Sequence, residues 1–352
     1  MYPALTVAQA LRERAPADEI WYVGREQGIE RSLAERAGLP FEAVPAAPVR
    51  GAGPLRLLGN IADLMKGIAA AHRLLRRLRP DAVFATGGYV SVPVVVAAWL
   101  RRIPSMIYLP DMEPGLAVKA LALIAKRIAV TNEEAARFFP ACRTVVTGYP
   151  VRAEFATLSR DEARKQLDLS ESKALLVFGG SRGASALNTA VERSLSELLE
   201  IAEVLHVCGN VDFARLSQRR SALSAEEQTR YRLFEYLHDL PAAVKAADLV
   251  VSRAGASVLG EFTTAGAPSI LVPYPFAGQH QMNNARYLAE RGAAVIVDND
   301  DVGKSLFLIA RELLGDEGRR ATMRQSALRL ARPDAAHRLA EILRNLPTAE
   351  AV

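Results

Sequence analysis

The chain has 352 residues, half of them apolar and 24% charged. This composition excludes a disordered or fibrous chain and suits a globular protein of two domains, each with its own core. The net charge of +5 is uneven: residues 1–150 hold 19 basic and 13 acidic side chains and the remainder 25 and 26, so the positive excess lies in the first half.

Cys142 and Cys208 fall in different halves without CxxC spacing. That pattern argues against a disulfide framework or a zinc site, and both are expected as buried thiols in a reducing compartment. The longest apolar runs, such as VSVPVVVAAWL before Arg101, reach about a dozen residues, too few to span a bilayer. The start shows no basic stretch followed by an apolar one, so no signal peptide is expected.

In chain order, the first element is a helix. Pro3 suits a first turn, and Ala4, Val7, Ala8 and Leu11 make an i, i+3, i+4, i+7 stripe. A strand, EIWYVG, follows, and then a long helix from PLRLLGNIADLMKGI to AAAHRLLRRLRP, whose end carries Arg73, Arg76, Arg77 and Arg79. Those arginines read either as a solvated end set against the helix dipole or as a surface for anionic lipid. Nucleic acid fits worst, since no aromatics interleave with the basic residues. Strands DAVFATGG, SMIYLP, RIAVT and RTVVTGYP then alternate with helices VPVVVAAWLRR and GLAVKALALIAK.

After TGYPVR the polar, strand-free AEFATLSRDEARKQLDLSES marks a boundary. The second half repeats the theme with KALLVFGG, AEVLHVCG, LFEYL, DLVVSRAG, PSILVPYP and AAVIVDND. Short Val/Ile-rich strands bounded by Gly and Pro indicate parallel sheets covered on both faces. The expected fold is therefore α/β, with two Rossmann-like doubly wound domains at 1–152 and 153–316 and a helical segment at 317–352 that caps the second domain or packs across both.

In open parallel sheets ligands bind at the C-terminal strand ends, where helix N-termini attract anions. Three loops of the second half qualify. FGGSRGASALN offers Gly179, Gly180 and Gly183 for close backbone approach and Ser181 as a hydroxyl donor, as a diphosphate requires; such turns also occur without a ligand. LVVSRAGASVLGE places Glu261 in the first turns of a helix, either as a dipole-stabilised surface carboxylate or as an acceptor for two ribose hydroxyls. ILVPYPFAGQHQMNNARYL sets His280, Gln281 and Asn284 around a third helix start. On one sheet edge the three loops point to a sugar-nucleotide pocket rather than three separate caps.

Taken together, ATGGYVSVP, TGYPVR, FGGSRGASALN, SRAGASVLGE and GQHQMNNA, in this order and spacing, resemble the MurG family over nearly the whole chain. The resemblance implies a GT-B architecture with a cleft between the domains. It also implies inverting transfer of N-acetylglucosamine from UDP-GlcNAc to the muramoyl 4-hydroxyl of undecaprenyl-diphospho-muramoyl-pentapeptide, converting lipid I to lipid II. It further implies no cofactor beyond the UDP-GlcNAc substrate and no metal site, in line with the absent DxD pair. The partners would be the undecaprenyl-diphosphate-linked acceptor and an anionic membrane surface on the cytoplasmic face. Alternatives are another GT-B lipid glycosyltransferase, a UDP-sugar epimerase of the same architecture, or a chain that binds UDP-sugar without turnover.

Carried over by position, Ser181 would contact the donor diphosphate, Arg152 would lie at the cleft and the Leu237 backbone would meet the uracil. Ala256, Ser257, Val258, Leu259 and Gly260 would wrap the nucleotide, with Glu261 on the ribose. Gln281, with His280 and Asn284 nearby, would read the sugar hydroxyls, and Thr86, Gly87, Gly88 and Tyr89 would face the lipid diphosphate. The sequence departs from the family twice. YLPD puts Asp111, two residues before Glu113, where an amide is expected, which reverses the hydrogen-bond sense; Asp111 is then a base, a different substrate contact or a cap of the following helix. Family members also open with a strand and a GGTGGH-like loop, carrying the histidine proposed as base, that runs into a segment like VYPALTVAQAL. Here the stretch reads MYPALTVAQAL, as a GTG valine codon taken for a start would give, and loss of that strand is expected to cost stability.

Overall fold

The structure, a computed structural model, describes residues 2–26, 30–46, 54–180, 184–276 and 279–348, with only the backbone for 54–61. The chain divides into two compact units, one formed by Met1–Pro150 with Asp334–Val352 and the other by Val151–Pro333.

In the first unit β1 (Tyr22–Gly24) and β2 (Phe41–Ala43) pair in parallel, and β3 (Val83–Ala85), β4 (Ser105–Leu109), β5 (Arg127–Val130) and β6 (Thr144–Val146) form a second parallel sheet in that order. Crossovers between parallel strands cover both faces, so a central strand must be apolar on each side. β4 meets that demand with five buried residues. Met106 and Tyr108 pack against Val7 and Leu11 of the helix Tyr2–Arg14 and against Leu339 and Ala340 of the helix Ala335–Asn345. Ile107 and Leu109 belong to a separate cluster with Val94, Val95 and Ala98 of the helix Ser91–Leu100. The expected opening helix therefore forms; Val7 and Leu11 of its stripe pack on the β4 face with Ala10, while Ala8 packs with Ala34 and Leu39. Val23 of β1 packs against the cluster that contains Val83 and Ala85 of β3, yet β1 and β3 share no ladder.

The second unit holds β7 (Ala174–Phe178), β8 (Glu203–Val207), β9 (Tyr231–Phe234), β10 (Leu249–Ser252), β11 (Ser269–Leu271) and β12 (Ala294–Ile296), all parallel and in the order β9-β8-β7-β10-β11-β12. This is the doubly wound order, and the winding reverses between β7 and β10, where such folds bind ligands. Leu175 and Val177 of β7 anchor a core shared with Leu187 and Val191 of the helix Ser185–Arg193 and Leu306 and Leu313 of the helix Val302–Gly315. Among the described residues no helix is long and apolar enough to cross a membrane.

One expectation is corrected here, the burial of Cys142, and the segment 317–352 is shared between the two units. The helix Glu317–Leu330 stays in the second unit, where buried Arg320 donates to the carbonyls of Leu313 (2.7 Å) and Leu314 (2.5 Å) and so closes the preceding helix. After Pro333 the chain rejoins the first unit, because Ala335, Ala336, Leu339 and Ala340 form a compact apolar stripe suited to the β4 face. Cys142 is exposed in a short 3-10 turn, Ala141–Arg143, whereas Cys208 is buried as expected.

Because Leu339 is fully buried, Leu339→Ala should destabilise the first unit by about 2–5 kcal/mol. Hydrogen exchange read by mass spectrometry should show faster uptake in β4 and β5 with β7 and β8 unchanged. Unaltered uptake in β4 would remove this helix from the first unit's core.

Candidate active site

The C-terminal ends of β7, β9, β10 and β11 gather most of the second-half residues singled out from sequence. β7 runs into Gly179 and Gly180. Gly180 has φ +93° and nothing within 4 Å of where a Cβ would stand, so the turn needs glycine for its backbone angle and is otherwise open. Ser181 and Gly183 lie outside the described residues.

β10 runs through Arg253 and Gly255 into the 3-10 turn Ala256–Leu259, then Gly260 and the short helix Glu261–Ala265. Val258 and Leu259 are core residues, so what this turn offers a ligand is its backbone and the half-buried Ala256 and Ser257. Glu261 is 6% exposed. Burial pushes its carboxyl up to about 7, against the opposing pull of the Arg152 guanidinium and a hydrogen bond from the Ser257 hydroxyl. A carboxylate held near neutrality by its surroundings is the kind of group that clusters at functional sites. Arg152 donates through Nη1 to the His238 carbonyl at 3.4 Å and lies 5.4 Å above the Phe155 ring. Its partner loop follows β9, with half-buried Leu237 between Tyr236 and His238, whose rings meet edge to face at 4.8 Å.

The third loop is tied down by its own polar groups. Gln281 Oε1 accepts from the Tyr274 amide at 2.8 Å, and Asn284, fully buried, donates from Nδ2 to the Ala254 carbonyl at 3.1 Å. Asn284 thus links the helix His280–Ala289 to the β10 turn from beneath. His280 keeps a buried Nδ1 with no hydrogen-bond partner among the described residues. Sequence reasoning passed over Arg253, whose Nη1 donates to the Val272 carbonyl at 3.0 Å and joins the β10 and β11 ends. Its signal was a basic residue closing the apolar run LVVSRAG.

The first unit has its own edge. Gly87 (φ +85°) and Gly88 (φ +86°) turn the chain after β3, and Ser91 Oγ donates to the Gly87 carbonyl at 2.6 Å at the start of the next helix. Thr86 is half-buried, and Tyr89 is 49% exposed. After β4, Asp111 is half-buried; Gly115, not Asp111, stands at the N-cap of the helix Leu116–Ala122, so the helix-cap reading of Asp111 fails. Below this edge the fully buried Tyr108 phenol, held protonated by burial, donates to the Gly148 carbonyl at 3.1 Å, and its oxygen lies 3.1 Å from Thr131 Oγ1. Thr131 Oγ1 in turn lies 2.9 Å from the Pro110 carbonyl. These contacts fix the three strand ends from which the loops depart.

Each unit is thus built on parallel strands with glycine turns at their C-terminal ends, and the second is doubly wound. Residues 1–130 match the glycosyltransferase family 28 N-terminal domain and residues 174–339 the glycosyltransferase family 28 C-terminal domain, which defines a glycosyltransferase of GT-B architecture. The chain is 41% identical to the UDP-N-acetylglucosamine--N-acetylmuramyl-(pentapeptide) pyrophosphoryl-undecaprenol N-acetylglucosamine transferase of Roseiflexus sp. (strain RS-1), over 98% of this chain and 92% of the relative. It is 40% identical to the enzyme of that name from Desulforudis audaxviator (strain MP104C), over 98% and 95%. The crystal structure of Acinetobacter baumannii MurG superposes with a TM-score of 0.75 at 28% identity, covering 98% of this chain and 95% of that one. The chain belongs to the MurG family.

A buried carboxyl whose folded value lies near 7 binds a proton in the native state that the unfolded chain, titrating near 4.3, has released. Native stability contributed by Glu261 therefore falls as pH rises from the unfolded value through about 7. The neutral isostere in Glu261→Gln should match the wild-type Tm near pH 5 and exceed it near pH 8. A Tm difference that does not grow with pH would place the Glu261 titration outside this window.

Proposed function

We propose that this chain transfers N-acetylglucosamine from UDP-GlcNAc to the muramoyl 4-hydroxyl of an undecaprenyl-diphosphate-linked muramoyl-pentapeptide. The observation that carries the proposal is identity of 40–41% to relatives of that activity over 98% of the chain. The second unit binds the donor. Ser181 and the turn that begins at Gly179 and Gly180 meet the diphosphate, the turn Ala256–Gly260 wraps the nucleoside, Glu261 accepts from the ribose hydroxyls, and the Leu237 backbone meets the uracil. His280, whose Nδ1 has no partner among the described residues, and Gln281 read the sugar, with Asn284 holding their helix in place, and Arg152 flanks Glu261.

The first unit binds the acceptor through Thr86, Gly87, Gly88 and Tyr89. In the reaction the 4-hydroxyl oxygen forms a bond to the sugar C1, the C1–O bond to the diphosphate breaks with inversion, UDP leaves, and the hydroxyl proton passes to a base. We assign that base to Asp111, a step worth about 10²- to 10⁴-fold. The leaving diphosphate is stabilised by backbone N–H groups and helix dipoles, with no resident metal or cofactor in the scheme.

The same reading places the protein on the cytoplasmic face of the membrane. Trp99, Leu100, Leu116 and Leu123 are each more than half exposed; Arg101, Arg102 and Lys119 lie among them in sequence and Lys126 follows them. Apolar residues beside cations suit an anionic leaflet. Leu116→Ser with Leu123→Ser should reduce cosedimentation with phosphatidylglycerol vesicles by several-fold while leaving UDP binding intact; undiminished vesicle binding would move the membrane surface elsewhere.

Lipid II formation from lipid I and labelled UDP-GlcNAc tests the central claim. Glu261→Ala should raise the donor KM by about tenfold or more through loss of charge-assisted hydrogen bonds. In the wild type, donor affinity should climb as pH rises through about 7, because hydroxyls donate to the ionised carboxylate. Asp111→Asn should cut kcat by about 10²-fold or more with donor KM unchanged. Full activity in Asp111→Asn would eliminate it as base, and donor binding without product would reduce the chain to a UDP-sugar-binding module.

A further inference from the structure

Beneath the donor edge of the second unit lies a buried polar chain that the proposed chemistry does not use. It starts at Tyr231 in β9, whose hydroxyl is 2.9 Å from His206 Nδ1 in the central strand β8. His206 Nε2 is 2.9 Å from Asn188 Oδ1. Asn188 Nδ2 donates to the Cys208 carbonyl at 2.9 Å and to Asp212 Oδ2 at 2.7 Å. Ser185 Oγ donates to the same Asp212 oxygen at 2.9 Å, and Arg215 Nη2 donates to Asp212 Oδ1 at 2.9 Å. Arg215 also pairs with Glu192.

The direction of every proton in this chain follows from chemistry. Both N–H bonds of Asn188 point at acceptors, so its oxygen must be the atom facing His206. Burial pushes the His206 imidazole down to about 4, so the ring is neutral and carries one proton. That proton sits on Nε2 and is donated to Asn188, which leaves Nδ1 to accept from the Tyr231 hydroxyl. The chain therefore runs one way, from Tyr231 through His206 and Asn188 to Asp212, and the carboxylate receives three donors. His206 and Asn188 are at most 1% exposed, and a buried polar network of this kind stabilises only when each member is satisfied, as it is here. Apolar residues of the same size would fill the volume without the need for such completeness.

The two ends of the chain explain the arrangement. Ser185 is the first residue of the helix Ser185–Arg193, whose N-cap Ala184 supplies no side-chain acceptor, so the first-turn N–H groups have no partner within the helix. Asp212 is in the first turn of the helix Asn210–Ser221 that follows β8. We infer that the Tyr231–His206–Asn188–Asp212–Ser185 network is a positioning device that fixes the first turn of the helix after β7 for the diphosphate of a nucleotide ligand. This rests on the donor-site reading above and adds to it the buried residues Tyr231, His206 and Asn188 beneath that turn.

Calorimetric titration with UDP and with uridine tests it. A role confined to packing lowers Tm and leaves the ratio of the two affinities alone, whereas a positioning role acts on the phosphate part. Ser185 is exposed, so Ser185→Ala folds; it should weaken UDP by about threefold to tenfold, as one lost hydrogen bond allows, with uridine unchanged. Asn188→Ala should do so at least as strongly, and Ser185→Thr should restore the wild-type ratio. UDP and uridine weakened in parallel, or a wild-type ratio in Ser185→Ala, would overturn the inference while the donor reading stands. Failure of the wild type to bind UDP would overturn both.

Discussion

Each ladder among the described residues is parallel, and most of the structure follows from that constraint. A parallel strand cannot be joined to its neighbour by a tight turn; it needs a crossover, and right-handed crossovers on both sides bury both faces. Side-chain chemistry is thereby excluded from the sheets, and the residues free to act are those at the strand ends. All C-terminal ends of a parallel sheet lie on one edge, so loops far apart in sequence, such as those after β7, β10 and β11, converge without any special provision. The winding reverses between β7 and β10, which separates the two flanking crossovers and leaves open ground above Gly180 and the Ala256–Gly260 turn.

Once the edge is set, buried polar groups decide how rigid it is. In the second unit Asn284 ties a helix to the Ala254 carbonyl, Arg253 ties β10 to β11, and Asn188 ties a helix to β8 and to Asp212. In the first unit Tyr108 and Thr131 serve the ends of β4, β5 and β6 in the same manner. Each tie replaces solvent contacts with directed bonds in a medium of low dielectric, where geometry is sharply defined and an unmatched group is costly. Glu261 is the exception: its burial outweighs the stabilisation by Arg152 and Ser257 and leaves its proton loosely held near neutral pH. Among these buried polar groups it is the one best placed to change state when a ligand arrives.

The strands and glycine turns were legible because buried parallel strands are short runs of Val, Ile and Leu ended by Gly or Pro. β2, with its FEA sequence, was missed because three partly buried residues carry no periodic signal. The two helices of the segment 317–352 look alike in sequence; only the density of the apolar stripe at Ala335, Ala336, Leu339 and Ala340 distinguishes the second, and what that stripe covers is a tertiary matter. The same holds for polar residues at the edge. His280, Gln281 and Asn284 look alike in sequence, yet one keeps a nitrogen without a partner among the described residues, one is bound to a backbone amide and one is sealed in the core. The His206 network gave no sequence signal, since its members are spread over two strands and two helices and pair only through register.

The first unit shows how far local packing can define an edge when the sheet is divided. β1 and β2 contribute Val23 and the stacked rings of Tyr22 and Phe41, but they share no ladder with β3. What holds them is side-chain burial on the helices around them, with Ala8 of the helix Tyr2–Arg14 joined to Ala34, Leu39 and the Tyr22–Phe41 pair. Hydrophobic contact is non-directional, so it fixes distance more firmly than register. The β3–β6 edge, by contrast, is held by ladders and by the Tyr108 and Thr131 bonds. Within this unit the geometry around Gly87, Gly88 and Asp111 is therefore set by the strands that are hydrogen-bonded together, and the carboxylate at position 111 is presented from that laddered part of the layer.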